Sequence, residues 1–414
     1  MTRDQITIPG VNRTGIRRAN LTRPLRVLHV IPTLETASGG PLAILFGLAA
    51  SQVGEALDVS VLATFVGVES RAITEQIRRL GVNVTIVGPV RGKLMKHPAL
   101  AESVRRGVRT ADIVHIHGIW EELQHQTARA CRRFGVPYIV SPHGMLTTWS
   151  LARRRWAKRL FLSWRVRANL NAASRVHFLT ATECQLTAPM GLRPSTLVQA
   201  GGCLRLTDFD RLPARGAFRR RVPQIGNRPL ILFMGRIALE KGLRFLIPAM
   251  RHVRPMDAIL AVVGPDARNY RATLQAEVNR LGLCERIIFT GMLVGEERIE
   301  ALADADLFCA PSDHESLGVA IIEALAAGLP SVVSEGVGIH REIVRAGVGA
   351  VAGRGDTELA GEISRWLQDD SMRRGAAARC RPFVRARFGP PSDAQGWDQT
   401  YRGAIARKPQ MVSA

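Results

Sequence analysis

Short apolar runs rich in β-branched residues alternate along this chain with longer stretches of helical periodicity. Runs that are apolar on both faces predict strands of a parallel sheet that helices cover on both sides. The runs are residues 25–32, 57–64, 82–89, 112–118, 137–144, 175–182 and 195–202, then 229–236, 258–265, 286–291, 306–312 and 330–335. The chain is therefore predicted to be α/β, with two doubly wound domains in tandem.

Polar segments predict where the domains begin and end. Residues 1–23 contain five Arg and no periodic pattern, which predicts a disordered basic tail. Residues 206–228 are Arg-rich and broken by Pro and Gly, so we expect a linker between an N-terminal domain over 24–205 and a C-terminal domain over 229–390. The segment 391–414 is expected to hold a closing helix and a tail.

The net charge of +22, from 57 Lys and Arg against 35 Asp and Glu, predicts an anionic partner. Nucleic acid, acidic lipid and a phosphorylated substrate share that chemistry, but the chain has no zinc-finger spacing and no aromatic RNA-reading motif. Six scattered cysteines and an N-terminus without an apolar signal region predict a cytoplasmic protein with reduced thiols.

Two carboxylates stand out in the segment 311–335. An apolar strand over 305–310 leads into a turn, and Glu315 precedes an apolar helix predicted over 317–327. Glu323 falls inside that helix, where a carboxylate is costly to bury without hydrogen bonds. With helical rise throughout, eight residues would span roughly 12 Å, about the reach from a sugar to a ribose across a diphosphate. The alternative is a locally satisfied Glu and an ordinary capping Glu.

Two cations follow the first strand of the second domain. Gly235 and Arg236 end the strand, and Lys241 comes five residues later. A strand end before a helix N-terminus attracts phosphate, to which Arg adds a fork of donors and Lys a point charge. The alternative is a surface Arg and Lys in a loop. In the first domain, Gly39 and Gly40 would let a ligand approach the backbone, or would form a plain loop.

Three histidines close strands of the first domain. His115 and His117 share one strand face, and a metal site there would need a third ligand that no spacing suggests, so no metal site is predicted. His143 ends a strand at the edge where open α/β sheets bind ligands. We expect His143 in the catalytic region, and His117 on the acceptor side or in a structural role.

The pattern Pro-Ser-x-x-Glu-Ser-x-Gly-x-x-x-x-Glu over 311–323 resembles that of retaining GT-B glycosyltransferases of family 4, the glycosyl transferases group 1. The match covers roughly residues 25–390. The resemblance implies two Rossmann-like domains with a cleft between them. It also implies a UDP- or GDP-linked sugar as donor, no further cofactor, and a metal-independent transfer that retains anomeric configuration.

The resemblance also implies roles for single residues. Arg236 and Lys241 would hold the donor diphosphate, while Glu315 would bind sugar hydroxyls and Glu323 ribose hydroxyls. His143 would lie near the reacting carbon. The other residues expected at the donor, mainly through backbone groups, are Gly39, Gly40, Met292, Ser316, Leu317 and Gly318.

The stretch 147–168 predicts an amphipathic helix that suits a membrane interface, or a core-packed helix with a solvated basic face. Its apolar face would carry Trp149, Trp156, Leu160, Trp164 and Ala168. Its basic face would carry Arg154, Arg155, Lys158, Arg159 and Arg165. The pattern His-Gly-Met-Leu-x-x-Trp-x-Leu from His143 resembles exopolysaccharide and capsule transferases. That resemblance implies a polyprenyl-diphosphate-linked or oligosaccharide acceptor at the cytoplasmic face of an anionic membrane.

Two other interpretations stay open. Another GT-B enzyme, such as a nucleotide-sugar epimerase or a glycan synthase, would share the motifs, but an epimerase has no reason to carry the basic Trp helix. A nucleic-acid-binding protein would explain the charge but not a carboxylate at Glu323 inside an apolar helix.

Overall fold

The computed structural model describes residues 23–35, 39–53, 57–67, 69–92, 94–152, 160–202, 204–267, 269–389 and 395–406. The basic tail predicted over 1–23 lies almost entirely outside these ranges.

The first domain is built on a sheet whose strands coincide with the first set of apolar runs. They are β1 (Leu25–Thr33), β2 (Leu57–Thr64), β3 (Asn83–Val87), β4 (Ile113–His117), β5 (Tyr138–Ser141), β6 (Arg175–Phe178) and β7 (Ser195–Val198). All pair in parallel, in the order β3-β2-β1-β4-β5-β6-β7. Every residue of β4 and β5 is buried, as continuous apolar strands require when helices cover both faces.

Helices connect these strands. They are α1 (Gly40–Gln52), α2 (Glu69–Arg78), α3 (Leu100–Thr110), α4 (Glu122–Phe134), α5 (Thr148–Ala152), α6 (Arg167–Asn171) and α7 (Ala181–Thr187). A π-helical turn at Leu162–Val166 precedes α6. The predicted amphipathic helix is therefore not one regular element in the described residues, and its centre over 153–159 lies outside them.

The second domain repeats the architecture on a parallel sheet. Its strands are β8 (Leu230–Met234), β9 (Ile259–Val263), β10 (Ile287–Gly291), β11 (Leu307–Ala310), β12 (Ser331–Val333) and β13 (Gly349–Val351). They are ordered β10-β9-β8-β11-β12-β13. Strand β13 was not predicted, because three small or β-branched residues carry too little hydrophobic signal. The prediction of two doubly wound domains is confirmed.

The helices of the second half are α8 (Ala217–Arg221), α9 (Leu243–Ala249), α10 (Tyr270–Arg280), α11 (Gly295–Asp304), α12 (Val319–Ala326), α13 (His340–Ala346), α14 (Asp356–Gln368), α15 (Asp370–Phe388) and α16 (Gln395–Ala406). Among the described residues, no helix is both long enough and apolar enough to cross a bilayer.

The two ends of the second domain attach to different partners. Helix α8 lies in the segment predicted as a linker. The backbone N–H groups of Gly216 and Arg219 there donate hydrogen bonds to the side chain of Asp304 in the second domain, which ties α8 to that domain. Helix α16 instead returns to the first domain, where Trp397 Nε1 donates to Gly201 O at 3.1 Å and the Tyr401 hydroxyl lies 3.0 Å from His115 Nδ1.

Strand order places the site. Each sheet reverses its winding direction next to its first strand, between β1 and β4 in one domain and between β8 and β11 in the other. Ligands of open α/β sheets bind at the carboxyl ends of strands at such a point. The segments that follow β1 and β5 in the first domain, and β8 and β11 in the second, line one interdomain cavity of about 530 Å³.

Candidate active site

The cavity collects most of the residues proposed from sequence. Its lining includes Arg236, Lys241, Glu315, Glu323, His143, Gly39, Gly40, Met292, Ser316 and Gly318. Leu317 is the exception, because its side chain is 2% exposed and packs in the core, which leaves only its backbone to serve a ligand.

Arg236 follows β8 and reaches toward the first domain. Its side chain is 41% exposed, and Nη2 lies 3.4 Å from Glu240 Oε1. Gly39 adopts φ 62° and ψ −126°, a conformation that L side chains rarely adopt, and a Cβ there would lie 3.8 Å from Arg236 Nε. The backbone conformation at position 39 therefore favours glycine, and it places a first-domain loop beside this guanidinium.

Lys241 forms an ion pair with Glu315, and both side chains are about four-fifths buried. Glu315 is not part of a helix, contrary to the spacing argument. It forms a parallel bridge with Val337, and α12 begins only at Val319 because Gly318 adopts φ 80° just before it. The continuous helical rise assumed between Glu315 and Glu323 is therefore wrong, although both residues line the cavity.

Glu323 lies within α12 and is 8% exposed. Its carboxylate pairs with Arg298 of α11, which compensates its burial. The carboxylate and guanidinium both line the cavity, as does Met292, whose side chain is 44% exposed. This end of the cavity thus combines a charged pair with an exposed apolar surface.

His143 occupies a strained turn after β5. Its φ of 52° lies in the left-handed region, which is uncommon for residues other than Gly and concentrates at functional sites. Beneath the turn, Glu183 accepts hydrogen bonds from the N–H groups of Gly144 and Leu179. Burial raises the pKa of the Glu183 carboxyl. Burial also lowers the pKa of His143 to about 3, so His143 is neutral at physiological pH.

The loop after His143 contacts the second domain directly. Thr147 Oγ1 lies 3.1 Å from His314 Nε2, and the Trp149 ring stacks on the His314 ring with centroids 5.2 Å apart. Trp149, which was placed on the apolar face of the predicted amphipathic helix, therefore lines the cavity.

The described remainder of the predicted amphipathic segment divides into two parts. Trp164 is 77% exposed and Leu160 is 72% exposed, so an apolar surface does exist there. Arg165, which was assigned to the solvated basic face, is instead buried, with Nη2 2.5 Å from Glu122 Oε2. Trp156 and the other predicted basic residues lie outside the described ranges.

His115 and His117 are completely buried, and β1 supplies the third imidazole that sequence spacing did not suggest, His29. Ring nitrogens of the three lie within 4.8 Å of one another, close enough for shared metal ligation. Each ring nitrogen nevertheless already has a hydrogen-bond partner within the protein, so a metal ion would have to displace these bonds. We therefore do not assign a metal site to the cluster.

Polar and aromatic residues that line the cavity but were not assigned to the site from sequence include Trp149, Glu240, Arg298 and His314. A signal existed for Glu240, which lies beside Lys241 in a loop already suspected of binding phosphate. Arg298 had no local signal, because its pairing with Glu323 depends on how α11 and α12 pack.

Comparison with known proteins identifies the family. Residues 215–381 match the model of Glycosyl transferases group 1, and residues 39–201 match that of the Glycosyl transferase 4-like domain. The 2-deoxystreptamine glucosyltransferase of Streptomyces kanamyceticus is 30% identical over 319 residues, covering 70% of this chain and 77% of the relative. The chain belongs to the group 1 glycosyltransferases. A second relative of this glycosyltransferase is the GDP-mannose:cellobiosyl-diphosphopolyprenol alpha-mannosyltransferase of Xanthomonas campestris, 24% identical over 82% of this chain and 86% of the relative.

Solved structures of similar fold confirm the GT-B architecture. Anabaena HepE in complex with UDP and glucose superposes with a TM-score of 0.72, at 20% identity, over 92% of this chain and 99% of that one. WaaG, a glycosyltransferase involved in lipopolysaccharide biosynthesis, gives a TM-score of 0.65 at 17% identity, over 92% and 99% of the two chains.

Proposed function

We propose that this glycosyltransferase moves a hexose from a UDP- or GDP-linked donor to a lipid-linked or glycan acceptor, with retention of configuration and without a metal ion. The observation that carries the proposal is the cavity shared by both domains. It brings two cations, two carboxylates and a strained neutral histidine together within about 530 Å³.

Arg236 and Lys241 are proposed to hold the diphosphate. Each is already close to a carboxylate, Glu240 and Glu315 respectively, so each is oriented before the donor binds. As the diphosphate leaves it gains negative charge, and preorganised cations in a cavity stabilise that charge more than water would. Two fixed positive charges supply the stabilisation that a divalent ion gives in metal-dependent transferases.

The carboxylates are proposed to hold the two sugars of the donor. Glu315, beside Lys241, would accept hydrogen bonds from hydroxyls of the transferred sugar. Glu323, which pairs with Arg298, would accept them from the ribose hydroxyls. The base would lie against Met292, and Gly39 and the backbone of residues 316–318 would face the diphosphate or sugar.

Retention requires that the new bond forms on the face from which the old one departs. The bond between the anomeric carbon and the β-phosphate oxygen breaks, and the acceptor hydroxyl oxygen bonds to the same carbon. The hydroxyl proton passes to the departing phosphate oxygen, so the step needs no protein nucleophile. His143 would then position a hydroxyl beside the anomeric carbon as a neutral group.

The acceptor is proposed to be presented at the cytoplasmic face of a membrane, as in exopolysaccharide synthesis. Three observations support it, namely the net charge of +22, the exposed side chains of Leu160 and Trp164, and a Xanthomonas relative that acts on a cellobiosyl-diphosphopolyprenol. Anionic lipid attracts basic segments, and exposed Trp and Leu favour the interface.

A donor screen tests the proposal. UDP-glucose, UDP-galactose, UDP-N-acetylglucosamine and GDP-mannose are compared by thermal shift, and donors that stabilise the protein are incubated with polyprenyl-diphosphate-linked and free oligosaccharides. We expect one nucleotide class to raise the Tm, and NMR of the product to show the anomeric configuration of the donor. An inverted product would overturn the retaining mechanism, and epimerised donor without transfer would favour the epimerase alternative.

A further inference from the structure

Five histidines form one hydrogen-bonded chain with Gln52, Ser141 and Tyr401 beneath the cavity. Each link is between 2.6 and 3.1 Å long. In order, the links join Gln199 O to His177 Nε2 (2.6 Å), His177 Nδ1 to Ser141 Oγ (2.7 Å), Ser141 Oγ to His115 Nε2 (2.7 Å), His115 Nδ1 to Tyr401 Oη (3.0 Å), Tyr401 Oη to Gln52 Nε2 (3.1 Å), Gln52 Oε1 to His29 Nε2 (2.8 Å), His29 Nδ1 to His117 Nε2 (2.9 Å) and His117 Nδ1 to His143 Nε2 (2.9 Å).

All five imidazoles are neutral at physiological pH. Burial lowers the pKa of His29 and His177 to about 4 and that of His143 to about 3. The pKa values of His115 and His117 are also held well below their usual range by burial and neighbouring imidazoles. Each ring therefore carries one N–H and one lone pair, so it donates at one end and accepts at the other.

The carbonyl at the far end sets the direction of the whole chain, because a carbonyl can only accept. Gln199 O accepts from His177 Nε2, so His177 Nδ1 carries a lone pair and accepts from the Ser141 hydroxyl. Because the Ser141 hydroxyl hydrogen is used in that bond, the Ser141 oxygen accepts a hydrogen bond from His115 Nε2–H. The same alternation continues through each later link and ends with His143 Nε2–H donating to His117 Nδ1.

Tyr401 joins the two halves of this chain. Its hydroxyl, completely buried on α16, donates to His115 Nδ1 and accepts from the Gln52 amide. The Gln52 side chain cannot exchange its oxygen and nitrogen positions without losing that bond, so Gln52 Oε1 must face His29. The closing helix thereby determines which nitrogen of His143 is protonated, although Tyr401 and His143 are far apart in sequence.

The other nitrogen of His143 is unusual. Nδ1 is buried and has no hydrogen-bond partner among the described residues. Leaving a buried polar atom without a partner is costly, so such an atom in a strained cavity-lining residue is expected to have a function. The direction of the chain makes this atom an acceptor.

We propose that Tyr401, Gln52, His29 and His117 are positioning residues that fix His143 as the Nε2–H tautomer, so that His143 meets a substrate hydroxyl as a hydrogen-bond acceptor. The proposal rests on the function proposed above only for its activity measurement. A hydroxyl that donates to His143 Nδ1 is held with its oxygen lone pairs free. An N–H at that position would instead have to donate to the same oxygen.

The tautomer is measurable without any substrate. Protein labelled with ¹⁵N in its histidines gives imidazole spectra in which a lone-pair nitrogen and an N–H nitrogen resonate far apart, and His143→Gln identifies the signals of His143 by their loss. We expect His143 to show a lone pair at Nδ1 and N–H at Nε2. The reverse tautomer in the unmodified protein would overturn the proposal, whether or not a transfer reaction has been found.

The variant Tyr401→Phe breaks the chain while keeping the ring that packs 5.3 Å from the Trp397 ring. We expect His143 to become a mixture of tautomers and kcat to fall about tenfold while donor KM stays within twofold, as for one misplaced hydrogen bond.

The matched control is Tyr138→Phe. This variant removes another buried hydroxyl, which donates to Asn169 O at 2.6 Å and is not part of the hydrogen-bonded chain. The control should leave tautomer and kcat unchanged. If Tyr401→Phe does not fold, Gln52→Met is measured in the same way. A variant that folds and keeps both the tautomer and kcat would overturn the proposal.

Discussion

Lys241 and Glu315 form an ion pair although 74 residues separate them in sequence, and both side chains are about four-fifths buried at the cavity. The pair joins the loop after β8 to the loop after β11, on either side of the point where the second sheet reverses its winding. A donor whose diphosphate binds Lys241 and whose sugar binds Glu315 would use a geometry that exists before it arrives. Preorganisation of this kind lowers the cost of reaching the charged transition state.

Replacing either proposed diphosphate cation should lower the rate. Arg236→Ala and Lys241→Ala are each expected to reduce kcat/KM by about 100-fold, because each removes a charge that stabilises the leaving group. The control is Arg365→Ala, which removes another half-exposed arginine paired with a glutamate, but on α14 away from the cavity. Steady-state kinetics should show near-unchanged activity for the control. Activity near that of the unmodified protein in the Arg236, Lys241 double variant would refute the assignment.

The two proposed carboxylate roles can be separated with a nucleotide alone. If Glu323 binds the ribose, Glu323→Gln should weaken UDP or GDP binding about tenfold, since a hydrogen bond to a charged group contributes about 1.5–3 kcal/mol. If Glu315 binds only the transferred sugar, Glu315→Gln should bind the nucleotide normally but bind the nucleotide sugar less tightly. Calorimetry with both ligands checks this, and equal effects of the two variants on nucleotide binding would contradict it.

Activity should persist in excess EDTA. Arg236 and Lys241 are proposed to take the place of the divalent ion that other transferases use, so a chelator has nothing essential to remove. The assay compares initial rates after dialysis against EDTA with rates after adding back Mg²⁺ or Mn²⁺. A loss of activity that Mn²⁺ restores would disprove metal independence.

Lowering the pH should reduce the free energy of unfolding already at pH values above those at which carboxylates take up protons. The folded-state pKa values of His29, His177 and His143 lie below the ordinary value near 6.5, so the unfolded chain binds protons first as pH falls. Their stabilisation is complete above about pH 6.5 and is lost as pH falls toward about 4. Denaturant titrations between pH 7.5 and 4.5 should show a falling free energy of unfolding.

A histidine variant provides the control for this pH dependence. His177→Gln should reduce the slope of the unfolding free energy against pH by up to the contribution of one bound proton. A flat profile between pH 7 and 4.5 in the unmodified protein would show that the cluster does not contribute.

The exposed apolar surface at Leu160 and Trp164 should bind anionic membranes. The double variant Leu160→Ser, Trp164→Ser is expected to reduce partitioning onto phosphatidylglycerol-containing vesicles at least tenfold. The reason is that burying a large apolar side chain contributes about 1.5–3 kcal/mol of free energy. Val66→Ser, at another exposed apolar site, is the control. Sedimentation with and without vesicles measures the effect, and donor binding should be unchanged.

Charge reversal provides a second test of membrane binding. Arg154, Arg155, Lys158 and Arg159 should each contribute about 1 kcal/mol near an anionic surface, so their replacement by Glu should release the protein. Arg165 is left intact, because it is buried against Glu122 and its loss would damage the fold. Absence of vesicle binding in the unmodified protein would remove the membrane from the proposed function.

The local sequence determined the strands and the loops that carry the chemistry. Runs of buried β-branched residues, punctuated by Gly and Pro, specify where each strand ends, and ligand residues follow those ends in an open α/β sheet. For this reason Arg236, Lys241, Glu315 and His143 could be proposed from single stretches of sequence, and all four line the cavity.

Tertiary structure alone decided which of these groups meet. His29, His115 and Tyr401 come from distant parts of the chain and share one buried network, and Arg298 pairs with Glu323 because α11 packs beside α12. Periodicity reports whether a residue faces inward, but it contains no information about which other element lies opposite. That information depends on strand order and on how the helices cross, which arise only when the whole chain packs.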